Sequence, residues 1–484
     1  MQWNGFALCL LLLSGFSTFN DTAFASTPLV TVTSPGNGSQ DGSPVNFIAS
    51  ATSPDCASGI AAIRIYTAPG VGAYTVDASS LNVNLSLAAG TYNIVVQAWD
   101  NCGGVGKTPV NIAVGGSGLP EPKFLYASSY SKNRIYEYNV DPNSGVISPT
   151  TQGFVATGSE PEQIGTDKGG FRLYVAQVGA EQVSGYFINR SDGSLQAVPG
   201  SPGAIKGYPA DVQVHPSGDY VYVPVHINNP NSNYIYAFKV GANGSLSPVP
   251  GSPFATYWPY PSFTSVVSVF AAAIDPTGNF LYAVAYGAPY VDAYRINKSD
   301  GSLTPVSGQP FFLTDDIHQG GASTLAFAQG GQHLVVPSWW DAQIIVYDVN
   351  PRTGALTNAP GSPLTWPHGA NLFSIAIDPT DRWWYLYESY GTELPAASLA
   401  TFTSKGTIEE TGQQCGDIVR ADPSGKFVYA IGNTTGSSSC YAPGAILGFA
   451  VNQSDGALMP LPGSPYPSPV ADFAVTDDGL VVTP

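Results

Sequence analysis

Two histidines, His318 and His368, and two carboxylates, Asp341 and Glu388, are the residues of this chain best suited to acid–base chemistry. An imidazole beside a carboxylate can take a proton from water, its pKa set by that neighbour. A group that stabilises a developing oxyanion would complete a hydrolytic site. Aromatic residues fall in the same stretches: Trp339 and Trp340 precede Asp341, Trp366 precedes His368 and Tyr390 follows Glu388. His226 and the run Tyr257-Trp258-Pro259-Tyr260 add polar and aromatic surface. Rings beside polar groups suit contact with a sugar or a protein partner. Other chemistries lack their signatures. There is no His-x-x-x-His or Cys-x-x-Cys pair, Asp315-Asp316 offers too few ligands for calcium, and no G-x-S-x-G nucleophile motif occurs, so neither a metal nor a cofactor is expected.

The elements that must position these residues are repeats. One turn recurs as His215-Pro216-Ser217-Gly218, Asp275-Pro276-Thr277-Gly278, Asp378-Pro379-Thr380-Asp381 and Asp422-Pro423-Ser424-Gly425, with degenerate copies at 167–170, 328–331 and 477–479. A short apolar run follows each full copy, such as Val221-Tyr222-Val223 or Leu281-Tyr282-Ala283. Then come an alternating strand, a hairpin turn such as Asp300-Gly301-Ser302 and a Pro-Gly-Ser-Pro step at Pro199, Pro250, Pro360 and Pro462. Four strands per unit and a period of roughly 45–60 residues describe a seven-bladed β-propeller. With strands A to D in each blade, the chain enters at a B strand, Phe124-Leu125-Tyr126-Ala127, and Ala471–Val475 is expected to return as strand A of the first blade. Such closure leaves no exposed sheet edge.

Strand direction then sorts the loops. The A–B and C–D turns emerge on one face, and their Asp and Gly serve turn geometry, His215 included. The longer B–C and D–A loops emerge on the other, which is the candidate face because binding groups concentrate on loops held by a rigid scaffold. His226 is expected in a B–C loop, and His318 and His368 in D–A loops. Cys415 and Cys440 map to the same face of neighbouring blades and are expected to pair. His333 maps to the opposite face.

The unit Asp-Pro-x-Gly-x-Phe/Tyr-Leu/Val-Tyr-Val, followed by V-x-x-Tyr-x-V/I and Gly-x-Leu, resembles the lactonase family of seven-bladed propellers, which includes 6-phosphogluconolactonase-like proteins and related Y-V-T-N-type surface propellers. The resemblance covers about residues 120–484. It implies the propeller fold and, as an activity, hydrolysis of a sugar lactone by a carboxylic ester hydrolase. In that reading His318 and His368, beside Asp341 or Glu388, are the catalytic group. One departure counts against phosphosugar substrates: the family's Pro-Arg-His-like step before strand A is replaced by Pro161-Glu162-Gln163 and Pro209-Ala210-Asp211.

Residues 27–115 have a different rhythm. Alternating segments at 45–51, 63–66 and 81–85, a long strand Gly90–Asp100 and a last strand at 110–114 suggest a β-sandwich. The G-x-Y-x-V-x-V-x-A-x-D strand resembles bacterial Ig-like domains. Cys56 and Cys102 fall in loops at one end of such a sandwich and are expected to bridge. Residues 116–122 read as a linker and 123–484 as the propeller. Residues 1–25 read as a signal peptide: an apolar run from Phe6 to Phe16, too short to span a bilayer, precedes Ala23-Phe24-Ala25.

Composition bounds the rest. The formal net charge is −17, and the 17 Lys and Arg form no basic run, which excludes a nucleic-acid or anionic-lipid partner. With 54 Gly and 41 Pro, long helices are disfavoured. The expected protein is a secreted or cell-envelope monomer. It binds a glycan, small molecule or envelope protein on its B–C/D–A face through His226, Trp258, Trp339, Trp340, Trp366 and Tyr390. The alternative is a lactonase.

Overall fold

The computed structural model describes residues 27–484, apart from 42–44, 69–70, 86, 88–89, 115–119, 229–230, 258–267, 287, 314–321, 323, 339–342, 366–371, 381, 389–392, 399–402, 410–415, 434–443, 454–455 and 468–478. The chain divides into two compact units, Met1–Gly118 and Leu119–Pro484. The described residues are nearly all strand and turn, and no helix among them is long and apolar enough to cross a membrane.

In the first unit, a three-stranded sheet (Leu29–Ser34, Val45–Thr52, Ser80–Leu85) faces a five-stranded one built on Ile60–Ala68, Val71–Val76, Gly90–Asp100 and Val105–Val114. Alternation places Phe47, Ile63, Ile65, Ile94, Val96 and Ile112 in one shared core. Cys56 and Cys102 form the expected disulfide, with Cα atoms 5.9 Å apart. Asp100, at the end of the long strand, holds the loop carrying Cys102: its carboxylate accepts the Ser53 hydroxyl at 2.6 Å and the backbone N–H groups of Gly104 at 2.6 Å and Cys102 at 3.0 Å.

The second unit holds seven antiparallel sheets. Blade 2 runs outward through Pro161–Thr166, Arg172–Gln177, Gln182–Ile188 and Leu195–Ala197. Blade 3 has Gln213–Val214 with Tyr208–Pro209, then Tyr220–Asn228, Asn231–Val240 and Leu246–Pro248 with Phe254–Ala255. Blade 4 has Ser268–Ile274, Phe280–Tyr286, Tyr290–Ile296 and Leu303–Pro305 with Phe311–Phe312. Blades 5, 6 and 7 begin at Ala326–Ala328, Leu372–Ile377 and Gly416–Ala421. Blade 1 has Phe124–Ser129, Arg134–Val140 and Ile147–Ala156, and its innermost strand comes from the C-terminus. That closing strand is Leu480–Thr483, antiparallel to Phe124–Ala127. The expectation named Ala471–Val475, which lies outside the described residues. Because the chain enters blade 1 at its second strand, a single returning strand is needed, and the last residues of the chain supply it.

The repeated residues lock blade to blade. Tyr126, Tyr222, Tyr282 and Tyr429 each donate their hydroxyl to the carbonyl of a hairpin glycine in the next blade: Gly193 at 2.8 Å, Gly301 at 2.9 Å, Gly354 at 2.8 Å and Gly145 at 2.6 Å. The last of these joins blade 7 to blade 1. The glycines have positive φ, and a Cβ on Gly354 would lie 2.4 Å from the ring of Phe280. The Pro-Gly-Ser-Pro step has a second use. Strand C of a blade lacks one ladder partner where strand D breaks, and a side-chain oxygen fills it: Ser201 accepts from Gly185 at 2.9 Å, Ser252 from Ala237 at 2.9 Å, Ser362 from Val346 at 2.9 Å and Ser464 from Gly448 at 3.1 Å. In blade 4 Gln309 takes the same place, accepting from Ala293 at 2.7 Å. The Asp-Pro-x-Gly carboxylates bind backbone N–H groups, as Asp275 does from Asn279 and Phe280, both at 2.6 Å.

Candidate functional site

The B–C/D–A face is fixed by strand direction, and the expected site residues divide sharply on it. His226 is described but is not a loop residue. Strands B and C of blade 3 run on to Asn228 and Asn231, so His226 sits within the ladder opposite Asn233. It is 5% exposed, and its Nδ1 lies 2.8 Å from the Asn233 side-chain oxygen. It therefore serves as a buried strand residue near the face rather than as open binding surface. Glu388 ends strand B of blade 6, its backbone paired with Leu372. His318, His368, Asp341, Trp258, Trp339, Trp340, Trp366, Tyr390, Cys415 and Cys440 lie outside the described residues. The two discounted histidines have structural partners. His215 packs in its turn, Nδ1 2.8 Å from the Ser217 hydroxyl and Nε2 3.0 Å from the Gly278 carbonyl. His333 meets Asp348 at 2.9 Å.

Exposed aromatic side chains mark consecutive blade junctions on this face. Tyr208 enters blade 3, Tyr257 leaves it and Phe312 leaves blade 4; they are 49%, 45% and 48% exposed. Tyr290, at the start of strand C of blade 4, joins two of them, with ring centroids 5.9 Å from Tyr257 and 6.3 Å from Phe312. The Tyr290 hydroxyl donates to the Tyr257 carbonyl at 2.6 Å, and the Tyr294 hydroxyl to the Ala255 carbonyl at 3.1 Å. Asp292 lies between these tyrosines on the same side of the strand, because successive side chains alternate. It is 5% exposed, and its Oδ2 accepts the Tyr257 N–H at 3.2 Å. Burial raises its carboxyl to about pH 7, so it exchanges a proton near neutrality.

A second polar group lies inside the ring. Asp211 precedes strand A of blade 3 and is buried. Its carboxylate accepts the N–H groups of Val212 at 2.7 Å and of Ala272 in blade 4 at 3.0 Å, and the Gln213 amide at 2.9 Å. Burial raises its pKa; those bonds and the charge of Arg420 oppose the rise. Arg420 belongs to strand A of blade 7, so its field reaches Asp211 across the ring centre. Burial lowers its own pKa and Asp211 opposes that. A guanidinium placed there can hold an anionic group or a developing oxyanion. Sequence reasoning passed over Arg420, Asp292, Tyr208 and Phe312 because each sits at the end or in the body of an ordinary-looking strand.

Residues 118–204 match the family model described as "Lactonase, 7-bladed beta-propeller". No curated protein matches the chain. Among solved structures, a Bacteroides fragilis protein classed provisionally as a 6-phosphogluconolactonase is 16% identical with TM-score 0.60, over 75% of this chain and 98% of that one. The periplasmic gluconolactonase of Pseudomonas aeruginosa is 18% identical with TM-score 0.59, over 75% and 99%. A Lactobacillus plantarum protein is 17% identical with TM-score 0.54, over 75% and 100%. Blade repeat, ring closure and structural neighbours agree on the fold: residues 119–484 form a seven-bladed β-propeller, whose residues 118–204 are similar to the lactonase family.

Proposed function

We propose that this is an exported propeller that binds a saccharide on its B–C/D–A face, with the N-terminal sandwich, read as Ig-like, serving as a spacer. The observation that carries the reading is the placement of Tyr208, Tyr257 and Phe312, half-exposed, at consecutive blade junctions of one face. Flat rings with exposed faces stack on the apolar faces of sugars, while neighbouring polar groups orient the hydroxyls. Trp258, Trp339, Trp340, Trp366 and Tyr390, outside the described residues, are expected from the sequence in loops of the same face and would extend the surface. Export is supported by the signal-like segment 1–25, by the Cys56–Cys102 bridge and by the periplasmic neighbour. A closed ring has no edge to pair, which favours a monomer.

A second reading, lactone hydrolysis, is favoured by the family match and by Arg420 inside the ring. His318 or His368 would activate water beside Asp341 or Glu388, and a cationic group would hold the oxyanion. Two experiments separate the readings. Glycan-array binding that falls when Tyr208, Tyr257 and Phe312 are replaced by Ala supports the first. Opening of glucono-δ-lactone above the buffer rate, lost in a His318→Ala, His368→Ala pair, supports the second. A lactone rate equal to buffer would sink the enzyme reading.

A further inference from the structure

Asp292 breaks the blade repeat. The position is defined by the register: it pairs with the residue that follows the repeated strand-B tyrosine or its counterpart. In blade 4 the pair is Ala283 with Asp292. The corresponding residues are Tyr136 in blade 1, Ser184 in blade 2, Tyr236 in blade 3, Ile345 in blade 5 and Leu447 in blade 7. An aromatic, a small hydroxyl or an aliphatic side chain therefore satisfies the fold there, and an acid is not required by it.

The acid is also incompletely served. Its Oδ2 takes one N–H, from Tyr257, and its Oδ1 is buried with no hydrogen-bond partner. No salt bridge reaches it among the described residues, and burial rather than any charge dominates its titration. The neighbouring phenols do not help, since Tyr290 and Tyr294 direct their hydroxyls to backbone carbonyls. By contrast Glu137, another buried acid, accepts from Thr150 at 3.0 Å, Gln152 at 3.1 Å and Leu195 at 2.9 Å. Glu137 is a satisfied pin between blades; Asp292 is an acceptor with half its capacity unused. A buried, half-satisfied carboxylate costs stability, and such a cost persists where a ligand repays it.

We propose that Asp292, with Tyr257, Tyr290 and Phe312, forms a subsite for an organic ammonium group. A cation meets both deficits at once: it supplies N–H or polarised C–H donors to Oδ1 and neutralises the charge. The rings add cation–π attraction, which favours Lys-like and quaternary ammonium ions over neutral groups. Tyr257 and Phe312 are half-exposed at this junction, and a ligand reaches the acid only if the Tyr257 ring turns aside. The ammonium could belong to an amino sugar, which deepens the saccharide reading and rests on it, or to a free small cation.

Titration calorimetry of the full chain at pH 7.5 tests this with four probes: glucosamine, glucose, choline and 3,3-dimethylbutanol, the neutral isostere of choline. Expected is at least tenfold tighter binding of a cation than of its neutral counterpart, lost in Asp292→Asn. Circular dichroism and the thermal midpoint confirm that the variant is folded. Preference for choline over dimethylbutanol with no binding of either sugar supports the ammonium site and removes the saccharide reading. Equal affinity for glucosamine and glucose, with no choline preference, overturns the ammonium site and leaves the saccharide reading standing. No binding of any probe, or preferences unchanged in Asp292→Asn, also overturns it.

Discussion

Replacing Asp292 by Asn should change how the stability of the protein depends on pH. The carboxyl is 5% exposed and titrates at about 7 in the folded chain, against an ordinary value of 3.8. A raised acid holds its proton in the folded state after the unfolded chain has lost it. Its favourable contribution is therefore complete below about pH 4 and is lost as pH rises through 7. The gap of about 3 pH units, at about 1.4 kcal/mol per unit, sets an upper limit of about 4 kcal/mol between pH 4 and pH 8. The amide has no such proton, keeps the shape and can still accept the Tyr257 N–H. Urea unfolding of both proteins across that range reads the difference directly. The other buried acids (Glu137, Asp211, Asp378 and Asp422, all raised by burial) are present in both chains and cancel. The variant should gain on the parent as pH rises, overtaking it near neutrality. Parallel curves from pH 4 to 8 would refute the reasoning, because they would mean that Asp292 is ionised in the fold without penalty.

Three further outcomes follow from the ring and the sandwich. Gly354→Ala should cost roughly 2–4 kcal/mol, from positive φ together with the clash against Phe280, whereas Gly361→Ala, also at positive φ but with open space around it, should cost about 1 kcal/mol; comparison of their urea midpoints checks this. Tyr429→Phe removes the bond from blade 7 to the Gly145 carbonyl of blade 1 and should cost about 1–3 kcal/mol by the same assay, since it leaves a buried acceptor unpaired. Cys56→Ser with Cys102→Ser opens a bridge of 46-residue separation and should weaken the first unit by about 4 kcal/mol on the chain-entropy model, read as an earlier calorimetric transition with the propeller transition unmoved.

The fold was legible because its information is local and repeated. Asp-Pro-x-Gly turns, strand-B tyrosines and hairpin glycines recur in the sequence, and each serves the same contact in successive blades. The Cys56–Cys102 bridge was legible for a similar reason, since the two flanking strands fix which end each loop occupies. The Pro-Gly-Ser-Pro step was visible, but its purpose was not: Ser252 fills a gap in a ladder that exists only once strand D breaks. His226 was placed in a loop because the sequence does not mark how far strands B and C of blade 3 run before turning. Arg420 and Asp211 are 209 positions apart in the chain, and only ring closure brings them together. Asp292 carried a readable signal, an acid at a register position filled by Tyr, Ser, Ile or Leu in blades 1, 2, 3, 5 and 7, but reading it requires the strand pairing.

The central claim is that the aromatic B–C/D–A face is the binding surface, and opposite-face controls test it most directly. Phe171 is 59% exposed and sits in the A–B turn of blade 2, on the other face. Binding of the full chain to the glycan array should fall at least tenfold when Tyr208, Tyr257 and Phe312 are all replaced by Ala, and should be unchanged in Phe171→Ala. Equal binding by the triple variant and the parent would contradict the account.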